Sequence, residues 1–309
     1  MKPSGAGQIA QGLGRLGLTF RSFTVASEGA WSTEDADWNY KDIPHFNVVH
    51  SLTRSVPAVI DDKFFAAVHM QRIAGIPVPI ALADYVTTEG VQVYFTTLVC
   101  FVLVVETRIV SLAASDAAET STRVETTYHV GGPRLAMAAF PLIRRILKAN
   151  YKTLMAEDLP MREQRGRLRR AGYSFASDGR PRTFVETTDL TIENVKDPPP
   201  RQGPPVVVDL AEMEPAGASV VVGEGPAGLR LLHGQGSEVL VFDRVCTHEG
   251  AGLDEALPGR DCLVCPWHAK RVRPLAAFDL GDRSPRHLPA GPHRVLEING
   301  EQLIISSVL

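Results

Sequence analysis

The sequence predicts an α+β protein of two domains, in which an antiparallel sheet closed by a long helix precedes a small all-β domain. Six strand-like runs lie between residues 53 and 130, and a stretch with helical spacing follows from about 134 to 171. Next comes the stretch KDPPPRQGPPV, whose five prolines exclude a helix or a central strand. We therefore expect a first domain at 1–195, a stiff linker at 196–205 and a second domain at 206–309.

The elements of the first domain follow from the spacing of its apolar residues. The strand-like runs lie near 53–60, 66–74, 81–87, 91–98, 100–112 and 121–130. Pro141 and Pro160 are expected to break or kink the helix that follows. A sheet facing a long helix leaves room for a pocket between them. The residues expected to line this pocket are Val93, Phe95, Val102, Val104, Val124, Met137 and Phe140.

The second domain is predicted from short strand-like runs that Gly, Pro and Asn separate. These runs read PVVVDL, ASVVVG, LRLLHG, EVLVFD, HRVLEI and QLIISS. Their length and spacing are typical of a small all-β domain, and no internal repeat is present.

Composition and charge argue against some classes of function and location. The chain has 309 residues, 44% hydrophobic and 22% charged, with a net charge of −3, which gives no electrostatic reason to expect nucleic acid. Thr, Gln, Glu and Arg interrupt the most apolar stretch, so no membrane span is expected. The N-terminus lacks the apolar run of a signal peptide, and four cysteines favour a metal role in a reducing compartment. A cytoplasmic protein is the resulting expectation.

A Cys and His motif lies in the second domain. Cys246-Thr-His248 and Cys265-Pro-Trp-His268 each follow a strand-like run, and sixteen residues separate the two pairs. Zinc would take all four side chains on one ion, whereas a Rieske [2Fe–2S] cluster takes one Cys and one His from each loop. The interleaved order is typical of the second arrangement. Cys262 with Cys265 also forms a C-x-x-C pair, which leaves a zinc half-site or a redox pair as an alternative.

The stretches CTHEGAGL and CPWH, with the ending GEQLIIS, resemble the Rieske family over roughly the last 100 residues. This resemblance implies that Cys246 and Cys265 hold one iron of a [2Fe–2S] cluster and that His248 and His268 hold the other. The loops lack the extra cysteines of cytochrome-complex members, which indicates the oxygenase or ferredoxin type. Ala269 stands where family members often have glycine. Cys262 and Cys100 are interpreted as small buried residues.

A second candidate site lies in DWNYKDIPHFNVVHS, which contains Asp42, His45 and His50 as D-x₂-H-x₄-H. Two imidazoles with a downstream carboxylate, for which Asp158 is the candidate, would make the facial triad of non-haem Fe(II) oxygenases. Alternatives stay open for each residue. Asp42 could cap a helix, Asp158 could be solvated, and on an ideal helix the two His lie about 140° apart.

These residues resemble the mononuclear iron site of Rieske non-haem iron oxygenases. By that resemblance His45, His50 and Asp158 bind Fe(II), and Asp42 is the hydrogen-bonded bridge that relays electrons from the cluster. The order of domains is the reverse of the family's, in which the Rieske domain comes first. The resemblance also implies a homotrimer that pairs the cluster of one subunit with the iron of its neighbour.

The resemblance implies an enzyme that uses O₂ to hydroxylate, desaturate or cyclise an apolar small molecule. GEGPAGLRLL is not followed by a helical pattern, so it is not a dinucleotide fingerprint. The electrons would therefore come from a separate ferredoxin or NAD(P)H-dependent reductase. The alternative is a helix-grip-like domain that binds a lipid or polyketide without chemistry, fused to a Rieske electron carrier. The other histidines, His69, His129, His233, His287 and His293, are interpreted as structural or surface residues.

Overall fold

A computed structural model describes residues 5–307, with gaps at 74, 99, 113–120, 176, 179–183, 185–204, 214–218, 224–227, 235–236 and 289–293. The described residues form two compact units. The first contains residues up to 166 with 177–178 and 184, and the second contains 167–175 and 205–307. Almost all of the predicted linker at 196–205 lies outside the described residues, so that boundary stays a prediction.

The described part of the first unit contains a seven-stranded antiparallel sheet. Its strands are β1 (Thr19–Gly29), β2 (Thr53–Asp61), β3 (Phe64–Ile73), β4 (Ile76–Val86), β5 (Gln92–Leu98), β6 (Phe101–Leu112) and β7 (Ser121–Gly132). The order β1-β7-β6-β5-β4-β3-β2 is a meander whose first strand pairs with its last. All six predicted runs are therefore strands, and β1 was missed. Pro57 lies in β2, at the sheet edge and beside a register shift, where a missing N–H is tolerated.

Helices lie before the sheet, across it and after it. They are α1 (Ala6–Arg15), α2 (Thr33–Lys41), α3 (His45–Val48) and α4 (Phe140–Arg170), with a 3₁₀ turn at Ala136–Ala139. Neither proline breaks the long helix, so that part of the prediction is wrong. Pro141 lies in the first turn of α4, where its missing N–H has no partner to lose, and the helix continues through Pro160. An antiparallel sheet with this long C-terminal helix is a helix-grip fold, as the sequence predicted.

The connection between β1 and β2 positions the site. These strands are the two edges of the sheet, so the chain between them crosses the sheet, and α2 and α3 form that crossing. Ser32 caps α2 by accepting a hydrogen bond from the Asp35 N–H, and the Asp35 carboxylate accepts one from the Ser32 backbone N–H. This capping box fixes where α2 begins, and the helix ends at Lys41, directly before Asp42 of the candidate site.

From residue 205 onward, the described part of the second unit is all-β apart from a 3₁₀ turn at Leu210–Met213, as predicted. Its strands are β8 (Val206–Asp209), β9 (Ser219–Val222), β10 (Leu229–His233), β11 (Glu238–Asp243), β12 (Leu257–Pro258), β13 (Leu263–Val264), β14 (Arg271–Val272), β15 (Ala276–Asp279), β16 (Arg286–His287), β17 (Arg294–Asn299) and β18 (Gln302–Ser307). They form the sheets β15-β11-β10-β9, β12-β13-β14 and β16-β17-β18-β8. Alternate residues of β10 and β11 fill a core with β17 and β18, for example Leu231, Val241, Leu296 and Leu303.

Candidate metal centres

Two histidines of the crossing connection point at each other. Asp42 ends α2, and α3 begins at His45 and ends after one turn at Val48. His50 therefore lies beyond the helix, and the ideal-helix separation does not apply to it. The two Nε2 atoms lie 3.1 Å apart, and both rings are buried. The N-cap alternative for Asp42 is wrong, because Asp42 is the C-cap of α2 and Pro44 is the N-cap of α3.

Helix α4 brings a carboxylate to the same point. Asp158 Oδ1 lies 3.6 Å from the Nε2 of His45 and 3.6 Å from that of His50. One ligand atom from each residue falls within 4.8 Å of the other two. First-shell distances are about 2.0–2.2 Å, so three atoms this close can share one ion. Asp158 is only 6% exposed, which makes the solvated-face interpretation wrong.

A carboxylate faces the other ring nitrogen of each histidine. His50 Nδ1 lies 3.0 Å from Glu157 Oε2, and the Ser51 backbone N–H donates to Glu157 Oε1 at 3.0 Å. His45 Nδ1 lies 3.6 Å from Asp42 Oδ2. A carboxylate at Nδ1 favours the tautomer whose Nε2 lone pair is free for a metal. Both rings therefore present a ligand nitrogen to the shared point.

Asn39 and Arg162 orient Asp158, and sequence reasoning missed both. The Asn39 amide donates to Asp158 Oδ1 at 3.3 Å, and its carbonyl accepts from Arg162 Nε at 2.8 Å. Arg162 also lies 3.8 Å from Asp158 Oδ2, one helical turn away, and its guanidinium covers the Tyr40 ring at 4.7 Å. The i,i+4 spacing of Asp158 and Arg162 was a usable signal. Nothing in the sequence singles out Asn39.

Without a metal, the site holds a proton. Burial lowers the pKa of His45, but the carboxylates of Asp158 and Asp42 outweigh it and raise that pKa to about 9. Burial lowers the pKa of His50 despite its acidic neighbours. Burial favours a raised pKa at Asp158, yet His45, His50 and Arg162 hold that pKa below its usual value. A metal cation would take the place of the His45 proton between the same carboxylates.

A cavity of about 340 Å³ opens between the sheet and α4, and His50 and Asp158 form part of its wall. This size and an apolar lining are typical of small-molecule sites. Of the predicted lining residues only Val102 is on the wall. Val93 and Val104 lie on the opposite face of the sheet, buried against Ala6 of α1, because neighbouring residues of a strand face opposite ways. The others are also wrong: Val124 packs with Trp31, Met137 and Phe140 pack around Phe23, and Phe95 is 39% exposed.

His69, interpreted from the sequence as a structural or surface residue, is a further polar residue of the cavity. It lies on the cavity wall, and its ring is 6.0 Å from that of Phe46. Burial and the nearby His50 lower its pKa to about 4, so its ring is neutral at physiological pH. Three of the remaining histidines contribute to neither site: His129 pairs with Ser22, His233 is buried in β10, and His287 is exposed. His293 lies outside the described residues.

In the second unit, two loops with the same backbone pattern carry the Cys and His residues. In the first, the Cys246 N–H donates to Ala251 O and the Gly250 N–H donates to Cys246 O. In the second, the Cys265 N–H donates to Lys270 O and the Ala269 N–H donates to Cys265 O. The fourth residue after each cysteine has a left-handed backbone, with φ of 88° and 53°. The sequence spacing differs, but the two loops have the same turn.

The four predicted side chains converge. The Nδ1 atoms of His248 and His268 are 3.3 Å apart. The Cys246 thiol hydrogen-bonds to the Cys265 sulfur and lowers the pKa of Cys265 to about 5. No disulfide links the cysteines. Cys262 is buried, as expected, whereas Cys100 is exposed at the turn between β5 and β6, so its buried interpretation is wrong.

Backbone N–H groups surround the sulfurs. The His248 and Glu249 N–H groups hydrogen-bond to the Cys246 sulfur, and the Trp267 N–H does so to the Cys265 sulfur. Such donors stabilise thiolate ligands. The first loop rests on an apolar cluster in which Val245 packs with Leu168, Tyr173 and Phe175. Two thiols and two imidazoles held this way could bind a metal cluster.

Residues 203–302 match the family model of the Rieske [2Fe-2S] domain. The second unit is therefore a Rieske domain. The match favours a [2Fe–2S] cluster over a zinc half-site at the C-x-x-C pair and suggests a role in electron transfer for these residues. No curated protein sequence matches the chain. Within the described residues, no helix is long and apolar enough to cross a bilayer.

Solved structures are similar at low identity. The Zhui aromatase/cyclase from Streptomyces sp. R1128 is 12% identical, with a TM-score of 0.41, over 48% of this chain and 96% of that one. A START superfamily protein from Mycobacterium smegmatis is 14% identical, with a TM-score of 0.38, over 46% of this chain and 97% of that one. A norcoclaurine synthase from Thalictrum flavum is 10% identical, with a TM-score of 0.36, over 46% and 96%.

Proposed function

We propose that this protein is a Rieske-type oxygenase that uses O₂ and externally supplied electrons to hydroxylate an apolar small molecule. Desaturation and cyclisation are alternative outcomes of the same chemistry. One observation carries the proposal: His45, His50 and Asp158 converge on one point, and two of them, His50 and Asp158, line a 340 Å³ cavity in a chain that also carries a Rieske domain. The cavity supplies a place for substrate directly beside the candidate ligands.

The first-unit residues fit a mononuclear iron. Two neutral imidazoles and a carboxylate are the donor set of the facial triad, and three protein ligands leave positions open for O₂ and substrate. Each ligand is held by a second group: Asp42 faces His45, Glu157 faces His50, and Asn39 donates to Asp158. Partners of this kind orient the ligands of metal sites.

When bound, the iron would supply the redox chemistry that activates O₂. The residues of the chain would orient the two histidine ligands and exclude water. Glu157 would keep the His50 Nδ1 proton in place, and Asp42 would do the same for His45. The apolar wall, which includes Phe46, Phe65 and Leu82, would exclude water and hold a substrate C–H bond beside the ligands.

Electrons would enter through the Rieske domain, where Cys246, Cys265, His248 and His268 would hold the [2Fe–2S] cluster. A separate ferredoxin or NAD(P)H-dependent reductase would be the partner, since the glycines of GEGPAGLRLL precede the strand β10 and not the helix of a dinucleotide fingerprint. The relay through Asp42 and the trimeric assembly with cross-subunit pairing remain part of the proposal, and both rest on the family resemblance.

The iron-to-sulfide ratio tests the proposal. Protein purified without oxygen and reconstituted with Fe(II) should contain about three irons for every two acid-labile sulfides, because the cluster holds two of each. A His45→Ala/His50→Ala double variant should fall to about two irons, with the visible spectrum of the cluster unchanged. His129→Ala is the matched control, since that residue hydrogen-bonds to Ser22 and is not one of the candidate ligands, so it should leave the ratio at about three.

A second candidate function is a binding domain fused to an electron carrier, and the protonated His45 favours it. An imidazolium between Asp158 and Asp42 satisfies the buried charges without any metal. If the unmodified protein contains only two irons for every two sulfides, the result supports a binding domain fused to an electron carrier, and the oxygenase proposal fails.

A further inference from the structure

A buried carboxyl group on the cavity wall has no part in the proposed metal centre. Asp84 lies in β4, and its side chain lines the cavity while only 9% exposed. Gln92 Nε2 donates to its Oδ2 at 2.6 Å. Its other oxygen, Oδ1, is buried with no hydrogen-bond partner among the described residues. Such an oxygen is costly to bury, so its presence calls for a partner that comes from outside the protein.

The surroundings of Asp84 are apolar. Across the sheet it lies opposite Phe65 of β3 and Tyr94 of β5, and Leu82 and Val86 flank it on the same face of β4. Gln92, its one hydrogen-bonding neighbour on the wall, is reached diagonally across the strand pair. Burial therefore dominates and raises the pKa of Asp84 to about 8, although Gln92, Lys41 and the Tyr85 backbone N–H oppose the shift. At neutral pH the carboxyl group is largely protonated and can donate a hydrogen bond.

The other polar groups on the wall fall into two sets, those that hydrogen-bond within the protein and those that do not. The Thr96 hydroxyl donates to Ala81 O at 2.6 Å, and the Thr53 hydroxyl donates to the Gln71 side chain at 2.8 Å. Their hydrogen-bonding capacity is used within the protein. The Tyr40 and Thr126 hydroxyls, like Asp84 Oδ1, are buried on the wall without a partner among the described residues. An occupant of this cavity therefore meets several unsatisfied polar groups as well as apolar surface.

We propose that Asp84 and Gln92 form a recognition site for a hydroxyl or carbonyl oxygen carried by an otherwise apolar substrate. Asp84 donates its carboxylic proton to that oxygen, and Gln92 holds the Asp84 side chain in the orientation that exposes Oδ1. The substrate is therefore an oxygen-bearing ring compound or similar molecule and not a pure hydrocarbon. This inference rests on the proposed function only in assigning the cavity to the substrate.

The test compares three two-ring probes on the full chain with its cluster reconstituted: naphthalene, 2-naphthol and 1-naphthylmethylammonium. Binding is followed by the fluorescence of each probe. The hydroxyl of 2-naphthol should strengthen binding about tenfold over naphthalene, which is the effect of one buried hydrogen bond. In Asp84→Leu, the ratio of the naphthalene dissociation constant to the 2-naphthol dissociation constant should fall close to one. Asp84→Asn keeps a donor and should retain part of the preference.

Thr96→Val is the matched control, because its hydroxyl is already bonded within the sheet, and it should leave the ratio unchanged. A tenfold preference that survives Asp84→Leu overturns the proposal, since another group would then recognise the oxygen. Tighter binding of the ammonium probe that disappears in Asp84→Asn also overturns it and indicates a cation site. Failure of all three probes to bind overturns it too. Probe binding does not require the second iron, so the iron-to-sulfide ratio decides the proposed function separately.

Discussion

At the scale of single residues, the two Rieske loops show how one backbone angle limits the choice of amino acid. The fourth position after each cysteine is left-handed, and it is Gly250 in one loop and Ala269 in the other. A Cβ atom is tolerated in this region only at a cost, because it approaches the following carbonyl. The first loop also lacks the space for one, since a Cβ at Gly250 would lie 2.7 Å from both Leu168 and Phe175.

Ala269→Gly should therefore stabilise the Rieske domain by about 1 kcal/mol, because it removes the strained left-handed alanine. Gly250→Ala should destabilise it by more than that, since strain and steric overlap add. Thermal bleaching of the cluster absorbance measures both. Equal midpoints for Ala269→Gly and the unmodified protein would show that the loop tolerates the left-handed alanine without strain.

Glu157→Ala should weaken metal binding in the first unit by about 10- to 100-fold, the usual effect of removing a group that orients a ligating histidine. The variant leaves His50 Nδ1 and the Ser51 N–H without their shared carboxylate. Titration with Co(II) and its visible absorption measure the affinity. Glu163→Ala, an exposed residue of the same helix, is the control and should bind as the unmodified protein does. Equal affinities for the two variants would contradict the orienting role.

Metal affinity should also rise with pH. The pKa of His45 is about 9, above its ordinary value of 6.5, so at neutral pH a metal must displace the His45 proton. The apparent binding constant should increase about tenfold for each pH unit between 7 and 9 and level off above that. The same Co(II) titration at several pH values measures the slope. A binding constant that does not change over this range would mean that His45 is not a ligand.

At the scale of elements, α3 and α4 decide whether the predicted ligands meet. The D-x₂-H-x₄-H pattern and a later acidic residue were enough to predict His45, His50 and Asp158. The sequence could not show that α3 stops after one turn, because that depends on how the crossing connection packs on the sheet. Some residues that hydrogen-bond to the ligands could not be predicted from the sequence for the same reason. Asn39, for example, contacts Asp158 only because of tertiary packing.

Gly166 sets how closely α4 approaches the β1–α2 turn. A Cβ at this position would lie 2.4 Å from the Ala30 carbonyl oxygen. Gly166→Ala should therefore push the helix outward and destabilise the first unit by about 1–3 kcal/mol, as overpacking does. The shift should also weaken Co(II) binding, since Asp158 lies two turns away on the same helix.

Gly12→Ala is the matched control for that variant, because nothing lies within 4 Å of its added Cβ and α1 should gain about 0.5–1 kcal/mol from the better helix former. Urea unfolding followed by tryptophan fluorescence compares the two. If Gly166→Ala is as stable as the unmodified protein, the close approach of helix and turn is not a constraint.

At the scale of the whole molecule, the sequence predicted the fold class and most strands but not which face of the sheet is inside. The six predicted runs are strands because their β-branched patterns are local. The strand β1 pairs with β7 about a hundred residues later, and nothing in the sequence near β1 indicates that pairing. The pocket residues were predicted with the wrong alternation: Tyr94, Leu103 and Val105 face the cavity, whereas their neighbours Val93 and Val104 face α1. A covered outer face makes both sets apolar, so hydrophobicity alone could not choose between them.

The buried Asp84 gives the first unit a pH-dependent stability that can be isolated by one substitution. Its pKa is about 8 in the folded protein against 3.8 in the unfolded chain, so between these values the folded state holds a proton that the unfolded state has released. Stability must then fall as pH rises from about 4 to 8, by up to about 1.4 kcal/mol per unit from this group. Below and above that window its contribution is constant.

Asp84→Asn removes this titration while keeping the size of the side chain, so the difference in unfolding free energy between variant and unmodified protein should grow in favour of the variant as pH rises toward 8. Urea unfolding at a series of pH values measures that difference, and Trp31 and Trp38 report on the first unit. His45 titrates in both proteins and cancels in the comparison. A difference that stays constant from pH 5 to 8 would mean that Asp84 is ionised in the folded state, and then the group on the cavity wall is a carboxylate acceptor and not a proton donor.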